Sequence, residues 1–410
     1  MDTTAPAQPF GIFSSRGFRL FYAGQALSYI GDGLRSLALP LLVFKLTGSA
    51  LTLGVTYALQ FLPFAVAGLI GGSLADRLDR RRLLIACDFV RFIVLALFVV
   101  AGLRGFLSLP LIYAGIVVIS VSAAVFLGGQ SSSIPFLLGR QASAPANGAL
   151  IAAEQGANLI APPLGGALFT LYGAVPALAV NAFTYLTSLI AIARIPSLGP
   201  ERPSKVTSVR EVAADIAQGF SFLTADAAMR TITWLSLFLN LFGMMAMAVY
   251  IPFYKIALGA NDAQVGLTLG VNALGAGVGS LLAGKYANHW PFGAALCIAY
   301  IIDGLIFVPV MFAHHIWVAT LFFSLASGGA AFETTQIISW RMRVVPLEKI
   351  GRVFGAVRLI ALFGVVPGTL IGGYLADHYG VRTPITVSTL GYLFIALSAV
   401  AVRAVRTDRR

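Results

Sequence analysis

Charge is scarce in this chain. Of its 410 residues only 11% are Asp, Glu, Lys or Arg, where a soluble globular protein carries roughly a quarter. A surface facing water cannot be built from so few ionisable groups, so a large soluble domain is excluded. Cysteine is nearly absent: Cys87 and Cys297 both lie inside apolar runs, which rules out a disulfide framework or a zinc cluster and leaves them as packing residues. No glycine-rich phosphate loop with lysine, no nucleophile elbow and no metal-ligand spacing occurs. Direct ATP use and enzymatic chemistry are therefore not expected, and no cofactor is. The stretch from Met1 to Phe13 lacks the short apolar core and cleavage site of a signal peptide.

Apolar residues fill the space that charge leaves. They make up 58% of the chain, mean hydropathy is +0.87 and glycine reaches 43 residues, a composition suited to close helix packing in lipid. Runs long enough to cross a bilayer fall at 18–45, 51–75, 83–103, 107–129, 148–171, 174–195, 230–257, 263–288, 291–313, 315–338, 352–376 and 382–404. The predicted fold is therefore all-α, with twelve transmembrane helices. The net charge of +12 does not signal nucleic acid, because the basic residues sit in short loops between spans. With both termini on one side, that side holds 21 Lys and Arg and the other holds four, which places both termini in the cytoplasm. The polar stretch 196–229 opens with Pro196, Pro200 and Pro203 and continues into a possible surface helix. It divides the chain into a first bundle (1–195), a central linker and a second bundle (230–410). Repetition supports two related halves: Pro40 and Gly54 recur as Pro252 and Gly266, 212 residues on. Gly165-Gly166-Ala167-Leu168 with Tyr172-Gly173 recurs as Gly372-Gly373-Tyr374-Leu375 with Tyr379-Gly380, 207 residues on.

The most specific local signal is Gly72-Ser73-Leu74-Ala75-Asp76-Arg77-Leu78-Asp79-Arg80-Arg81-Arg82. This loop resembles the signature G-x-L-A-D-R-x-G-R-R of the major facilitator superfamily, with Asp79 where the pattern has glycine. An acid there is similar to the branch of macrolide-efflux proteins and enterobactin exporters. The resemblance implies two pseudo-symmetric six-helix bundles and a gating latch built on Gly72, Asp76, Arg77, Arg80 and Arg81, with Asp76 facing the start of the eleventh helix. The second copy, Gly284-Lys285-Tyr286-Ala287-Asn288-His289, has lost the acid and the arginine. In the fifth span, Gly148, Ala157, Ala161, Pro162, Gly165 and Gly166 occupy the places of the family's exporter motif, with alanine twice for glycine. Ordinary small-residue packing is the other reading of that helix. The run Pro346–Phe354 is also similar to that branch. Residues 107–129 carry no charge, so a coupling scheme based on an arginine in the fourth helix does not transfer.

Ionisable groups inside the membrane cost on the order of 2.5–3.5 kcal/mol each at a helix centre and mark function by default. Asp32 and Arg35 are three residues apart in the first span and share a helical face. They form either a switchable site or a permanent ion pair. Asp303 is central in the ninth span, and the 212-residue offset sets it at the position of Arg91. Glu333 lies in the tenth span. Asp32, Arg35, Asp303 and Glu333 are thus the proton-coupling candidates, whereas Asp88, Arg91, Glu154 and Arg358 read as gating or interfacial pairs. The expectation is a multi-pass protein of a cell membrane, bacterial inner membrane by its resemblance, acting as a monomer on a small-molecule substrate with protons and membrane lipid as partners. Export of an amphipathic compound by proton antiport comes first. An uncoupled facilitator or flippase for a lipid or metabolite comes second, and a non-transporting receptor or accessory subunit third.

Overall fold

A computed structural model describes residues 9–75, 78–195, 198, 209–286 and 291–401. The described residues are overwhelmingly helical. In the first part of the chain these are α1 (Arg16–Thr47), α2 (Ala50–Ala75), α3 (Arg80–Leu103), α4 (Leu109–Leu138), α5 (Ser143–Tyr172) and α6 (Ala174–Ala193). A surface-type helix α7 (Val209–Ala225) follows. The second part holds α8 (Ala227–Ala248), the single turn α9 (Tyr250–Pro252), α10 (Asp262–Tyr286), α11 (Phe292–Met311), α12 (Ile316–Val344), α13 (Ile350–Tyr379) and α14 (Arg382–Ala401). Eleven of these helices are long and apolar enough to cross a membrane. The twelfth long helix is α5, 30 residues with Pro162 and Pro163 inside it.

Most ends shift by a few residues, α12 running on to Val344 and α5 starting at Ser143, and two boundaries move further, each for a local reason. The fourth span does not end at 129, because α4 runs on through Ser131, Ser132 and Ser133. Their hydroxyls donate to the carbonyls of Leu127, Gly128 and Gly129, so a polar run that reads as a loop is absorbed into the helix. The span expected at 230–257 is broken at Val249. Pro252 removes a backbone donor, and the chain passes through a wider helical turn at Phe253–Ala257. At the other end of that turn, α10 starts on a reciprocal cap. The Gln264 amide donates to Asn261 Oδ1 at 2.8 Å, and the Asn261 amide donates to Gln264 Oε1 at 2.9 Å.

The chain forms two compact units. One gathers Met1–Leu39 with Pro63–Thr207, the other Pro40–Leu62 with Ser208–Arg410. Within the first unit, α1 and α5 approach through small side chains. A Cβ on Gly33 would lie 2.6 Å from Ala161 Cβ, and one on Gly165 would lie 3.2 Å from the Leu34 carbonyl oxygen. Aromatic and aliphatic residues including Phe18, Phe21, Cys87, Phe126 and Ile192 fill the core beside them. Within the second unit, Gly364, Gly368 and Gly372 of α13 lie against the backbone of α8 at Leu237, Leu241 and Met245, a glycine at every fourth residue that lets two helix backbones touch. Cys297 belongs to this unit's core, with Trp340 stacked on Phe292 at 4.8 Å. Helix α7 docks on α13, where Arg352 Nε meets Asp215 at 2.7 Å and its Nη1 donates to Gln218 at 2.8 Å. The start of α2 is capped by Asp377 of α13, whose carboxylate accepts from the Ser49 hydroxyl and from the amides of Ala50 and Leu51 at 2.5, 2.7 and 3.1 Å.

Candidate functional site

Each unit holds its own cluster of ionisable side chains between helices. In the first unit the cluster is charge-balanced. Asp32 and Arg35, one turn apart on α1, are joined at 3.2 Å. Asp88 and Arg91, one turn apart on α3, are joined at 2.5 Å and almost wholly buried. The two pairs are linked by α6. Tyr185 donates its hydroxyl to Asp32, and the Arg91 guanidinium lies over the same ring, 4.6 Å from its centroid. Phe126 of α4 covers Arg91 at 4.3 Å. Below them the Ser188 hydroxyl donates to Asp88 at 2.7 Å, and Gln25 of α1 donates to Ser188 at 3.0 Å. The Asp32 side chain keeps 32% of its surface open, against 0% for Asp88. The Asp32–Arg35 pair is therefore reachable, while the Asp88–Arg91 pair is locked inside the unit rather than interfacial.

The second unit is arranged otherwise. Asp303 of α11 and Glu333 of α12 are 1% and 2% exposed. Both oxygens of Asp303 and Oε1 of Glu333 lack a hydrogen-bond partner, as does the hydroxyl of Tyr300. Buried polar atoms without partners are rare in native structures, so three residues sharing that condition in one place form a distinct feature. Beside them, an apolar crevice of about 870 Å³ runs between α10, α11 and α12, lined by residues such as Leu274, Val278, Ile298 and Ile302 and floored by Gly328 and Gly329.

The remaining sequence candidates fall as follows. Gly72 lies near the end of α2, while Asp76 and Arg77 lie outside the described residues. Arg80 stacks over Phe136 at 4.3 Å, and Arg81 donates to the carbonyl of Ala193, so both arginines bind their own unit. Asp79, the departure from the glycine pattern, caps α3 by accepting from the amides of Arg81 and Arg82 at 2.9 and 3.3 Å. A glycine there would leave those donors without a side-chain acceptor. On α5, Pro162, Gly165 and Gly166 are buried, whereas Gly148 faces open space. Glu154 is exposed. Tyr185, Ser188 and Tyr300 were not legible as site residues. They lie far along the chain from their partners or are hidden among other aromatics.

These clusters sit in a helical scaffold whose sequence matches, over residues 21–369, the model of the Major Facilitator Superfamily. The chain belongs to that superfamily. It is a multi-pass membrane transporter and not an enzyme. Macrolide efflux protein A of Streptococcus pyogenes is 24% identical over 408 residues, covering 95% of this chain and 96% of that protein. The multidrug efflux pump Tap of Mycolicibacterium fortuitum is 23% identical over 397 residues, covering 92% and 93%. Among solved structures, a bacterial homologue of the human lysosomal transporter Spinster, inward-facing and unoccupied, superposes with a TM-score of 0.74 at 15% identity, covering 99% of both chains. That likeness supports the major facilitator fold read from the loop after α2.

Proposed function

We propose that this major facilitator protein exports a small amphipathic compound in exchange for protons, by alternating access, with both termini in the cytoplasm. The observation that carries the reading is the Asp32–Arg35–Tyr185 cluster. It is an acid in mid-helix, held by a base at 3.2 Å yet with a third of its side chain open. A carboxylate that is both paired and reachable can exchange its arginine for a proton when the surrounding helices move. The relatives named for efflux of macrolides and of multiple drugs support export rather than uptake.

The test is efflux in inverted membrane vesicles. Drug accumulation is expected to collapse with an uncoupler and in Asp32→Asn, while Asp32→Asn protein still inserts and melts like the wild type. Gradient-driven transport retained in Asp32→Asn would remove Asp32 from this role. A second reading, an uncoupled facilitator or flippase for a lipid or metabolite, is favoured by the apolar crevice between α10, α11 and α12. It predicts flux without acidification in proteoliposomes.

A further inference from the structure

Unit 2 contains two acids that nothing in the Asp32 scheme uses. Asp303 and Tyr300 are three residues apart on α11 and share one face. On α12, Gly329 and Glu333 are four residues apart and share another. A Cβ built on Gly329 would collide with the Asp303 carboxylate, with Cγ at 2.7 Å and Oδ2 at 3.2 Å. The Asp303 carboxylate therefore lies against the α12 backbone at Gly329, four residues or about 6 Å of rise along the helix from Glu333. No ion pair to either acid forms among the described residues. The groups facing the pair are few. On α11 they are Cys297 and Tyr300. On α12 the nearest base is Arg341, eight residues or about 12 Å along the helix, whose Nη2 lies 3.4 Å from Thr233 Oγ1. From α14 comes the Tyr392 phenol. The acid and the base of α10 sit at its ends, where Asp262 holds Lys255 of the preceding turn at 2.5 Å and Lys285 lies over the Tyr286 ring.

Two buried carboxylates with neither base nor donor are not stable as two anions, because each has lost its hydration and each repels the other. A metal ion is the poorer occupant. Among the described residues no group of three or more His, Cys, Asp or Glu side chains assembles, and a hard cation needs more oxygen ligands than two carboxylates supply. We propose that Asp303 and Glu333, with the Tyr300 hydroxyl beside them, form a buried proton-binding site on the α11–α12 face of the second unit, separate from Asp32. The proton sits on a carboxyl oxygen of one acid, which removes the repulsion between the two. Tyr300 supplies a further donor when the proton leaves. Gly329 is the positioning residue, because only a residue without a side chain leaves room for the Asp303 carboxylate against α12. The inference deepens the antiport reading and rests on it only for the link to transport.

The experiment uses the purified full chain in lipid nanodiscs, with infrared difference spectra taken across a pH titration. Subtracting the Asp303→Asn/Glu333→Gln spectrum from the wild type is expected to leave a carboxylic-acid carbonyl band that shifts in D2O and is lost at high pH. The same band is expected to survive in Asp32→Asn and to move in Tyr300→Phe. Because a double variant can misfold, dicyclohexylcarbodiimide, a lipid-soluble reagent that adds to protonated carboxyls, is applied to the wild type alone. Adduct mapped by mass spectrometry to Asp303 or Glu333, falling as pH rises, supports the site. A difference spectrum with carboxylate bands only, or no adduct on either residue at low pH, overturns it. Export by the wild type that ignores a pH gradient would instead refute the antiport reading, and the spectra would still decide the proton site.

Discussion

The two units place opposite charges at matching positions. Arg91 and Asp303 are 212 residues apart, the offset that relates Pro40 to Pro252. Tyr185 and Tyr392 are 207 apart, the offset that relates Gly165 to Gly372. In the first unit the arginine is neutralised by Asp88 at 2.5 Å and covered by Tyr185. In the second an aspartate stands there, its neighbour is a second acid, and no base pairs with it among the described residues. The first unit thus contains an ion-paired network and the second a buried acidic pair without a base among the described residues. Matching places in the sequence hold different chemistry: the buried Asp88–Arg91 pair is a fixed polar brace, and its counterpart in the second unit is a pair of acids without one.

That contrast is most sharply broken by removing one member of the ion-paired network. Asp88→Asn leaves Arg91 buried without its counter-charge, and loss of one partner of a buried pair costs about 3–5 kcal/mol. Thermal unfolding in detergent is expected to show the largest loss of any substitution considered. Asp88→Asn/Arg91→Gln should recover much of it. In the second unit the equivalent lesion, Glu333→Gln, removes an uncompensated acid and should leave the melting temperature unchanged or raised. Equal losses in the two halves would erase the comparison. Next in size is Gly329→Ala, which drives a methyl group into the Asp303 carboxylate. Overpacking of this kind costs about 1–3 kcal/mol, whereas Gly277→Ala on α10, where a Cβ meets nothing within 4 Å, should be neutral.

Asp377 is a satisfied acid of the second unit. Its three accepted hydrogen bonds cap α2, and Asp377→Ala is expected to cost about 0.5–2 kcal/mol, read as a lower melting temperature. That residue also shows what the sequence could and could not tell. The twelve long helices were legible because lipid demands runs of about 20 apolar residues, and α2 begins within one residue of its expected start. The superfamily was legible from the loop after α2, and the mid-membrane acids were legible because each is conspicuous among apolar neighbours. Partners were not. Asp377 meets Ser49 across more than 300 residues, and Tyr185 meets Asp32 across about 150. Side-chain spacing along one helix says nothing about which distant helix will face it. Asp88 and Arg91 read as an interfacial pair for the same reason: their i, i+3 spacing was visible, but the α4 and α6 aromatics that bury them were not.

The smallest effect tests the matched tyrosines directly. Tyr185→Phe removes a phenol that donates to Asp32 while leaving the ring that covers Arg91. A single hydrogen bond to a partly open carboxylate contributes about 1 kcal/mol, and the cation–π contact is kept, so stability should fall only slightly. The Asp32–Arg35 pair is nevertheless released from α6. If Asp32 exchanges protons by leaving Arg35, that freedom should shift the pH at which efflux is half-maximal without lowering the maximal rate. Tyr392→Phe removes a hydroxyl that forms no hydrogen bond among the described residues, so it should change stability less. Its effect on the pH profile would then arise only through the Asp303–Glu333 pair. A profile moved by Tyr185→Phe alone assigns the exchanging acid to the first unit, one moved by Tyr392→Phe alone assigns it to the second, and the two units cease to be functionally distinct only if both move it equally.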